Sequence, residues 1–563
     1  MLRIALAALS LYANVANCYV ATRATDSVDA PVVQVKNGSY EGIYSAEYKQ
    51  DFFLGVPYAQ PPVGDLRFRS PVSLNQTWTG VKPAKKDSPR CVQWGTDVSI
   101  VSEDCLYINI VRPSGLDKNA SIPVMIWIHG GGFVSGAGVE PVFNMTFLVQ
   151  QSVKIGKPVI GINLNYRLGT FGFLSGSDEV KDFNVGLLDQ RKVLEWVQEN
   201  VASFGGDPKR VTIFGESAGA GAVGYQLIAH GGRDDKLFRG AIMESGNPIN
   251  VHGSSDKSGL ADNYNELNRR TGCDKATSPL ECLRTLPYQQ LYDTINQSGN
   301  SSVSLSAFGP VIDGDFLRKP GSVALAAGEF IHIPIMSGAT SDEGTAFSSK
   351  PVNTEEEFEK MVIDLEQGKM SADFAKKILT VYPDDLSVNV VQSLGNQRPS
   401  ASYGAQFRRS ATYIGDLYII ASRRKTCETW AANNLPVYSY RFDVLPDGAN
   451  VDMAITHFAE VSFVFNNYLG IGYDTKPFSS EPMTAVANFM TNSWLSYVYH
   501  LDPNEWRKTV AWSGLEPEWP VYNSSNPTNF VFDSNRTSYL EPDVFRKEAI
   551  QLINDNSLSV YGR

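Results

Sequence analysis

Gly215-Glu216-Ser217-Ala218-Gly219 constrains this chain more than any other stretch, because of what flanks it. Before it runs Arg210-Val211-Thr212-Ile213-Phe214, a β-branched and aromatic run that reads as a buried strand. After it, Ala218 to Ile228 is rich in Ala and Gly and reads as a helix. A G-x-S-x-G between a strand and a helix is the pattern of a nucleophile elbow. Its glycines let two chain segments pass at a distance that a Cβ would forbid. The hydroxyl of Ser217 then projects from a sharp corner, near a helix N-terminus whose free N–H groups favour developing negative charge. The bare pentapeptide is better read as a glycine-rich loop with a passenger serine; the flanks reverse that reading.

A serine hydroxyl is a poor nucleophile at neutral pH, so it needs a base, a group that orients the base, and a site for an oxyanion. His129-Gly130-Gly131-Gly132-Phe133 follows the apolar run Val124 to Ile128 and fits the last role. Successive glycines can aim backbone N–H groups into a site, so Gly131 and Gly132, with Ala218 of the elbow, are the expected oxyanion hole. The alternatives for this loop, a phosphate cradle or a flexible turn, do not explain its pairing with a downstream elbow. The base must come from six histidines. His129 belongs to the loop, His230 ends the helix after the elbow, His252 lies in a polar loop, His332 begins a strand and His500 closes a helical stretch. His457 sits in Ala454-Ile455-Thr456-His457-Phe458, late in the chain, as the order Ser, acid, His requires. The acid must then lie between Ser217 and His457. Ser341-Asp342-Glu343-Gly344 follows a strand-like run and fits, and position alone does not separate Asp342 from Glu343.

Continuous apolar runs at Val124–Ile128, Val159–Leu164, Val211–Phe214 and Gly240–Met243 read as strands covered on both faces. Ile333–Met336 and Val437–Phe442 read as later strands, and Val185 to Val201 has apolar residues at helical spacing. Strands separated by helices predict the α/β class, with a large, mostly parallel central sheet and right-handed crossovers. Two more polar stretches, from about Ser254 to Ser306 and from Thr354 to Ala432, read as helical insertions above the sheet.

At 563 residues the chain is long for one domain, but large α/β enzymes often stay undivided, and no linker or repeat divides this one. The formal net charge of −11 argues against a nucleic-acid partner, because phosphate binding needs clustered Lys and Arg. Arg3 followed by the apolar Ile4 to Ala16 reads as a secretory signal peptide over residues 1–18, cleaved between Ala16 and Ala24. That leaves residues 25–563 as a single domain. No later run reaches the ~20 apolar residues that span a bilayer. The end, Val560-Tyr561-Gly562-Arg563, carries no hydrophobic tail for a lipid anchor. The expected destination is therefore secretion, outside the cell. Sequons at Asn37, Asn75, Asn119, Asn144, Asn296, Asn300, Asn523 and Asn535 agree with export as candidate glycosylation sites. Of six cysteines, Cys18 leaves with the signal peptide. In an oxidising compartment we expect the local pairs Cys91–Cys105 and Cys273–Cys282, with Cys427 left as a buried thiol, although spacing alone does not dictate connectivity.

These segments, taken together, resemble the type B carboxylesterase/lipase family, which includes cholinesterases and the large fungal lipases. The resemblance also rests on Phe53-Leu54-Gly55-Val56-Pro57-Tyr58-Ala59, Gly64-Asp65-Leu66-Arg67-Phe68 and Glu103-Asp104-Cys105-Leu106-Tyr107-Ile108-Asn109-Ile110. It continues through Asn165-Tyr166-Arg167-Leu168-Gly169 and Asn184 to Arg191, so it spans nearly the whole mature chain. It implies an α/β-hydrolase fold, with helical insertions around the active-site entrance, and a triad of Ser217, Glu343 and His457. The choice of Glu343 over Asp342 comes from this resemblance. It further implies buried ion pairs Arg67–Glu103 and Arg167–Asp189, and it puts Ser245 close to the triad; an ordinary loop serine is an equal alternative for Ser245. Both local disulfides agree with it. No metal or cofactor is implied.

One departure stands out against the fungal lipases, whose first disulfide loop is long and carries an amphipathic lid. Only thirteen residues, Val92 to Asp104, separate Cys91 from Cys105 here. At ~1.5 Å per helical residue such a loop can hardly form a multi-turn flap, and a more open entrance with weak interfacial activation is expected. It also lacks room for an aromatic choline site, although Trp94 is present. The reading is a secreted serine carboxylic-ester hydrolase acting on a small-molecule or lipid ester. A triacylglycerol lipase or sterol esterase, with transient contact at a lipid interface, is the first alternative. A non-catalytic interaction protein of the same fold is the remote one.

Overall fold

The apolar run that precedes the glycine loop forms the middle of a large sheet. The computed structural model describes residues 30–249, 260–296, 308–365, 370–389, 394–510 and 514–563. The expected signal peptide, Cys18, His252 and Asn300 lie outside the described residues. Among those described, eleven strands make the main sheet. They are β1 (Ile43–Ser45), β2 (Gln50–Pro57), β3 (Tyr107–Pro113), β4 (Ile122–Ile128), β5 (Ile160–Leu164) and β6 (Gly206–Glu216). The later ones are β7 (Gly240–Glu244), β8 (Ile335–Thr340), β9 (Val437–Phe442), β10 (Thr528–Phe532) and β11 (Tyr539–Pro542).

Their spatial order is β11-β10-β9-β8-β7-β6-β4-β5-β3-β2-β1. Every pairing from β10 through to β5 is parallel, whereas β11, β3, β2 and β1 join antiparallel at the two edges. The parallel centre is where the apolar runs predicted strands. The edge strands were less legible, because a strand covered less completely does not need a continuous apolar run. One strand lies later than expected. Ile333–Met336 reads as a strand in sequence, but β8 begins at Ile335 and continues to Thr340. Pro334 has no N–H for a central ladder, so pairing starts beyond it. His332 accordingly sits in the loop before the strand and not at its start.

Side chains of β4 alternate between the two faces, as a period of two requires. Val124, Ile126 and Ile128 pack with Val193, Leu194 and Val197 of the helix Val185–Asn200 and with Ala220, Val223 and Leu227 of the helix after the elbow. Met125 and Trp127 pack on the other face, with Leu148 and Val149 of the helix Met145–Lys154 and Met490, Trp494 and Leu495 of the helix Glu481–His500. Both faces are thereby closed to water, which suits a parallel sheet whose strands are apolar throughout.

Both polar stretches are helical where they are described. The first carries Ala261–Thr271, Pro279–Thr285 and Tyr288–Asn296. The second carries Glu355–Leu365, Ala372–Val381, Phe407–Gly415 and Ala421–Ala432. Phe358, Val362, Ile378 and Ile414 of the second build a third apolar cluster, together with Ile550 and Ile553 of the helix Lys547–Asp555. The expected disulfides Cys91–Cys105 and Cys273–Cys282 are both formed, and Cys427 is a buried free thiol. Burial pushes that thiol up to about 11, so it stays protonated at neutral pH.

The two expected ion pairs tie the insertions and loops to this frame. Arg67 meets Glu103 through two bonds, Nε to Oε1 at 2.6 Å and Nη2 to Oε2 at 2.7 Å. Its Nη1 also donates to the carbonyls of Leu283 and Leu286 in the first insertion. Arg167 meets Asp189 in the same forked way, at 2.8 and 2.7 Å. A guanidinium fork suits such sites because its planar donors match both carboxylate oxygens.

Candidate active site

β6 ends at Glu216, the next helix begins at Ala218, and Ser217 makes the whole turn between them. It does so at φ 58° and ψ −126°, a conformation that L-residues rarely adopt. Surrounding bonds hold it there: Ser217 N–H donates to Glu244 O at 2.9 Å, and Gly221 N–H donates to Ser217 O at 2.9 Å. The elbow glycines answer to a close neighbour. A Cβ on Gly215 would stand 2.5 Å from the carbonyl oxygen of Ile128, and one on Gly219 only 2.0 Å from it. The end of β4 thus presses into the elbow, which brings the His129–Phe133 loop beside Ser217.

Gly131 turns that loop at φ 100°, where a Cβ would meet Ser135 O at 2.2 Å. Ser217, Gly131 and Gly132 are partly exposed, while Ala218 is buried. Among the described residues, no protein oxygen accepts from the N–H groups of Gly131, Gly132 or Ala218. His129 braces the loop and is not available as a base. Its ring stacks on Tyr166 at 4.4 Å between centroids, and its Nδ1 lies 2.9 Å from Gly130 O. A carbonyl only accepts, so Nδ1 carries the proton. Burial pushes its pKa down to about 4.

His457 lies in the loop that follows β9. Its Nδ1 is 2.6 Å from Glu343 Oε2, on the 3-10 turn Glu343–Ala346 directly after β8. Its Nε2 faces the elbow, 3.0 Å from Oε1 of Glu216, the neighbour of Ser217. Side-chain exposure of His457 is 10%, and that of Glu343 is 0%. Burial works against the imidazolium, but the two carboxylates outweigh it and hold the His457 pKa well above the ordinary histidine range. Where Asp342 and Glu343 are equivalent in sequence, the structure separates them. Glu343 meets the histidine, whereas Asp342 Oδ2 accepts from Ile455 N–H at 3.1 Å. His230 sits by Asp315 and Phe316, His332 by Phe330, and His500 by Tyr499, none of them in this group.

Ser245 is in this group. Its Oγ lies 2.5 Å from Glu343 Oε1 and 3.0 Å from Glu460 Oε1. A hydroxyl has one proton to donate, so both contacts are satisfied when Ser245 donates to Glu343 and a protonated Glu460 donates to Ser245. Burial, followed by the charges of Glu343 and Glu216, pushes the Glu460 pKa up to about 8, which agrees with that count. Glu343 Oε1 accepts a further bond from Thr340 N–H at 2.7 Å.

Two acids here carry no role that the sequence pattern assigns: Glu216, inside the elbow motif, and Glu460. The second had a legible signal. It is a lone charge between His457 and the apolar Val461–Phe465, and a charge in such a run needs a buried partner. The short loop between Cys91 and Cys105 forms a single 3-10 turn, Val98–Ile100, as its length predicts. Gly95 N–H in that loop donates to Asn296 Oδ1 at 2.7 Å, and Tyr292 hydroxyl donates to Thr96 O, so the first insertion holds it.

Residues 29–547 match the model of the carboxylesterase family. The chain is 33% identical to Lipase 2 of Geotrichum candidum, over 84% of this chain and 87% of the relative. It is 30% identical to the secreted triacylglycerol lipase LIP1 of Gibberella zeae, over 93% and 90% of the two chains. In structure it is similar to Aspergillus niger EstA, with a TM-score of 0.81 at 27% identity, covering 94% of this chain and 99% of the other. A PNB esterase matches with a TM-score of 0.73 at 28% identity, over 92% and 99%.

Proposed function

This chain belongs to the carboxylesterase family, with its α/β-hydrolase fold and its hydrolysis of carboxylic esters, and from that premise we propose a secreted serine esterase that works through Ser217, Glu343 and His457. The observation that carries the proposal is the two-sided setting of His457: Glu343 on Nδ1 at 2.6 Å, the elbow on the side of Nε2. In this mechanism Nε2 takes the proton of the Ser217 hydroxyl as its oxygen attacks the ester carbonyl. The N–H groups of Gly131, Gly132 and Ala218 receive the oxyanion, and losing one such donor costs about 2.7–4 kcal/mol of transition-state stabilisation. Glu343 holds the ring and stabilises the imidazolium, which then protonates the leaving alcohol. Water attacks the acyl-enzyme by the same route in reverse. Ser245, itself bonded to Glu460, holds the far oxygen of Glu343 and fixes the carboxylate that faces the ring. Replacing Ser217 by Ala tests the mechanism: hydrolysis of a short p-nitrophenyl ester and labelling by an organophosphate must both disappear.

A triacylglycerol lipase is the second reading, favoured by the relatives named as lipases. The single-turn Cys91–Cys105 loop speaks for an open entrance and a soluble ester, since it offers no multi-turn lid. A jump in rate at the solubility limit of a long-chain ester decides for the lipase, with its transient contact at a lipid interface. Smooth saturation decides for the esterase. In either case the working unit is one domain, residues 25–563.

Support for secretion comes from the apolar N-terminus, the two disulfides, and relatives named as secreted lipases. Among the candidate glycosylation sites, Asn75, Asn119, Asn523 and Asn535 are exposed. Asn37, Asn144 and Asn296 are half-buried with their side chains in hydrogen bonds, so the first four are the better acceptors. Mass spectrometry of glycosidase-treated secreted protein reads occupancy directly.

A further inference from the structure

We propose that Asp342 and Thr345 are positioning residues that latch the loop carrying His457 onto the turn carrying Glu343. The inference rests on the serine mechanism above and explains what holds its two partners in register. Asp342 makes a reciprocal pair of bonds with one residue of the opposite loop. Its N–H donates to Ile455 O at 3.1 Å, and its Oδ2 accepts from Ile455 N–H at 3.1 Å. Thr345 Oγ1 lies 2.7 Å from Asp342 O, 2.7 Å from Met453 O and 2.8 Å from Thr456 Oγ1. Three of the four residues before His457 are therefore gripped by the two residues that bracket Glu343-Gly344.

The gripped loop needs holding. Ala454 at φ 52° and Phe458 at φ 77° stand on either side of His457, both left-handed without being glycine. Such conformations persist only where surrounding contacts over-determine them. The Asp342 bonds fall between the two, at Ile455. Asp342 and Ile455 are both buried, so removing the carboxyl leaves an N–H without water to replace it. Asp342 faces Asp443, Arg441, Arg546 and Arg408, and burial above all pushes its pKa up to about 8. A neutral acid accepts through its carbonyl oxygen, which the amide of asparagine reproduces.

The test uses the full chain and a soluble p-nitrophenyl ester. Asp342→Ala and Thr345→Val are expected to lower kcat about tenfold to a hundredfold with KM within about twofold, because a misplaced imidazole harms the transition state and not substrate binding. Asp342→Asn and Thr345→Ser should restore most of the rate. In a His457→Ala background, Asp342→Ala should lower the residual rate no further, since both act through one ring. Unchanged kcat in both Asp342→Ala and Thr345→Val overturns the latch, as does an equal loss with His457 already absent. If Asp342→Ala does not fold, Thr345→Val and its serine rescue decide alone. Full turnover by His457→Ala sinks the underlying mechanism instead, so the two failures are told apart.

Discussion

Glu216 and His457 face each other beside the nucleophile elbow, with Oε1 and Nε2 3.0 Å apart. Neither atom has a hydrogen-bond partner among the described residues, so the approach is close but not aligned. Its effect is electrostatic. The carboxylate favours the charged imidazole, and a charged imidazole cannot accept the serine proton.

The activity profile should therefore rise with pH as His457 loses its proton. In Glu216→Gln one of the two charges that hold the His457 pKa high is gone. The rising limb of kcat/KM should then move to lower pH. A limb that stays in place would mean that Glu216 does not tune the base.

Glu343→Gln should leave the fold intact and lower kcat about 10⁴-fold with little change in KM, because an amide can neither hold the required tautomer nor stabilise the imidazolium. Steady-state kinetics check this. Near wild-type kcat would move the role of acid elsewhere, and Asp342 would be the first residue to re-examine.

Glu460 predicts a dependence of stability on pH. Its pKa is raised from an ordinary 4.5 to about 8, so the native state keeps a proton that the unfolded chain gives up. That contribution is complete below about 4.5 and is lost as the pH climbs to about 8. Glu460→Gln is neutral throughout and should gain on the wild type across this window. Urea midpoints at both ends of the window measure the difference. Parallel curves would show that Glu460 is charged in the native state.

Arg167→Met should cost about 3–5 kcal/mol in urea unfolding, because Asp189 is left buried with its charge uncompensated. The double change Arg167→Met with Asp189→Leu should recover most of that loss, since apolar replacement of a whole buried pair is often neutral. A double variant no better than the single one would assign the cost to the Arg167 bond with the Arg69 carbonyl instead.

Local patterns in the chain determine much of this protein. A strand buried on both faces must be apolar throughout, so β4, β5, β7 and the Val211–Phe214 part of β6 can be read off as runs. The elbow and the glycine loop are legible because close backbone approach admits only glycine, as Gly219 against Ile128 O shows. Tertiary structure decided the rest. Whether Asp342 or Glu343 turns to His457 depends on a loop more than a hundred residues further on, to which Asp342 is bound through Ile455. The bonds of Ser245 to Glu343 and Glu460 and the approach of Glu216 to His457 likewise arise only when β6, β7, β8 and the His457 loop bring their side chains to one buried place. Side-chain identity is written locally, but a charge takes its meaning from its surroundings, and those are assembled from distant parts of the chain.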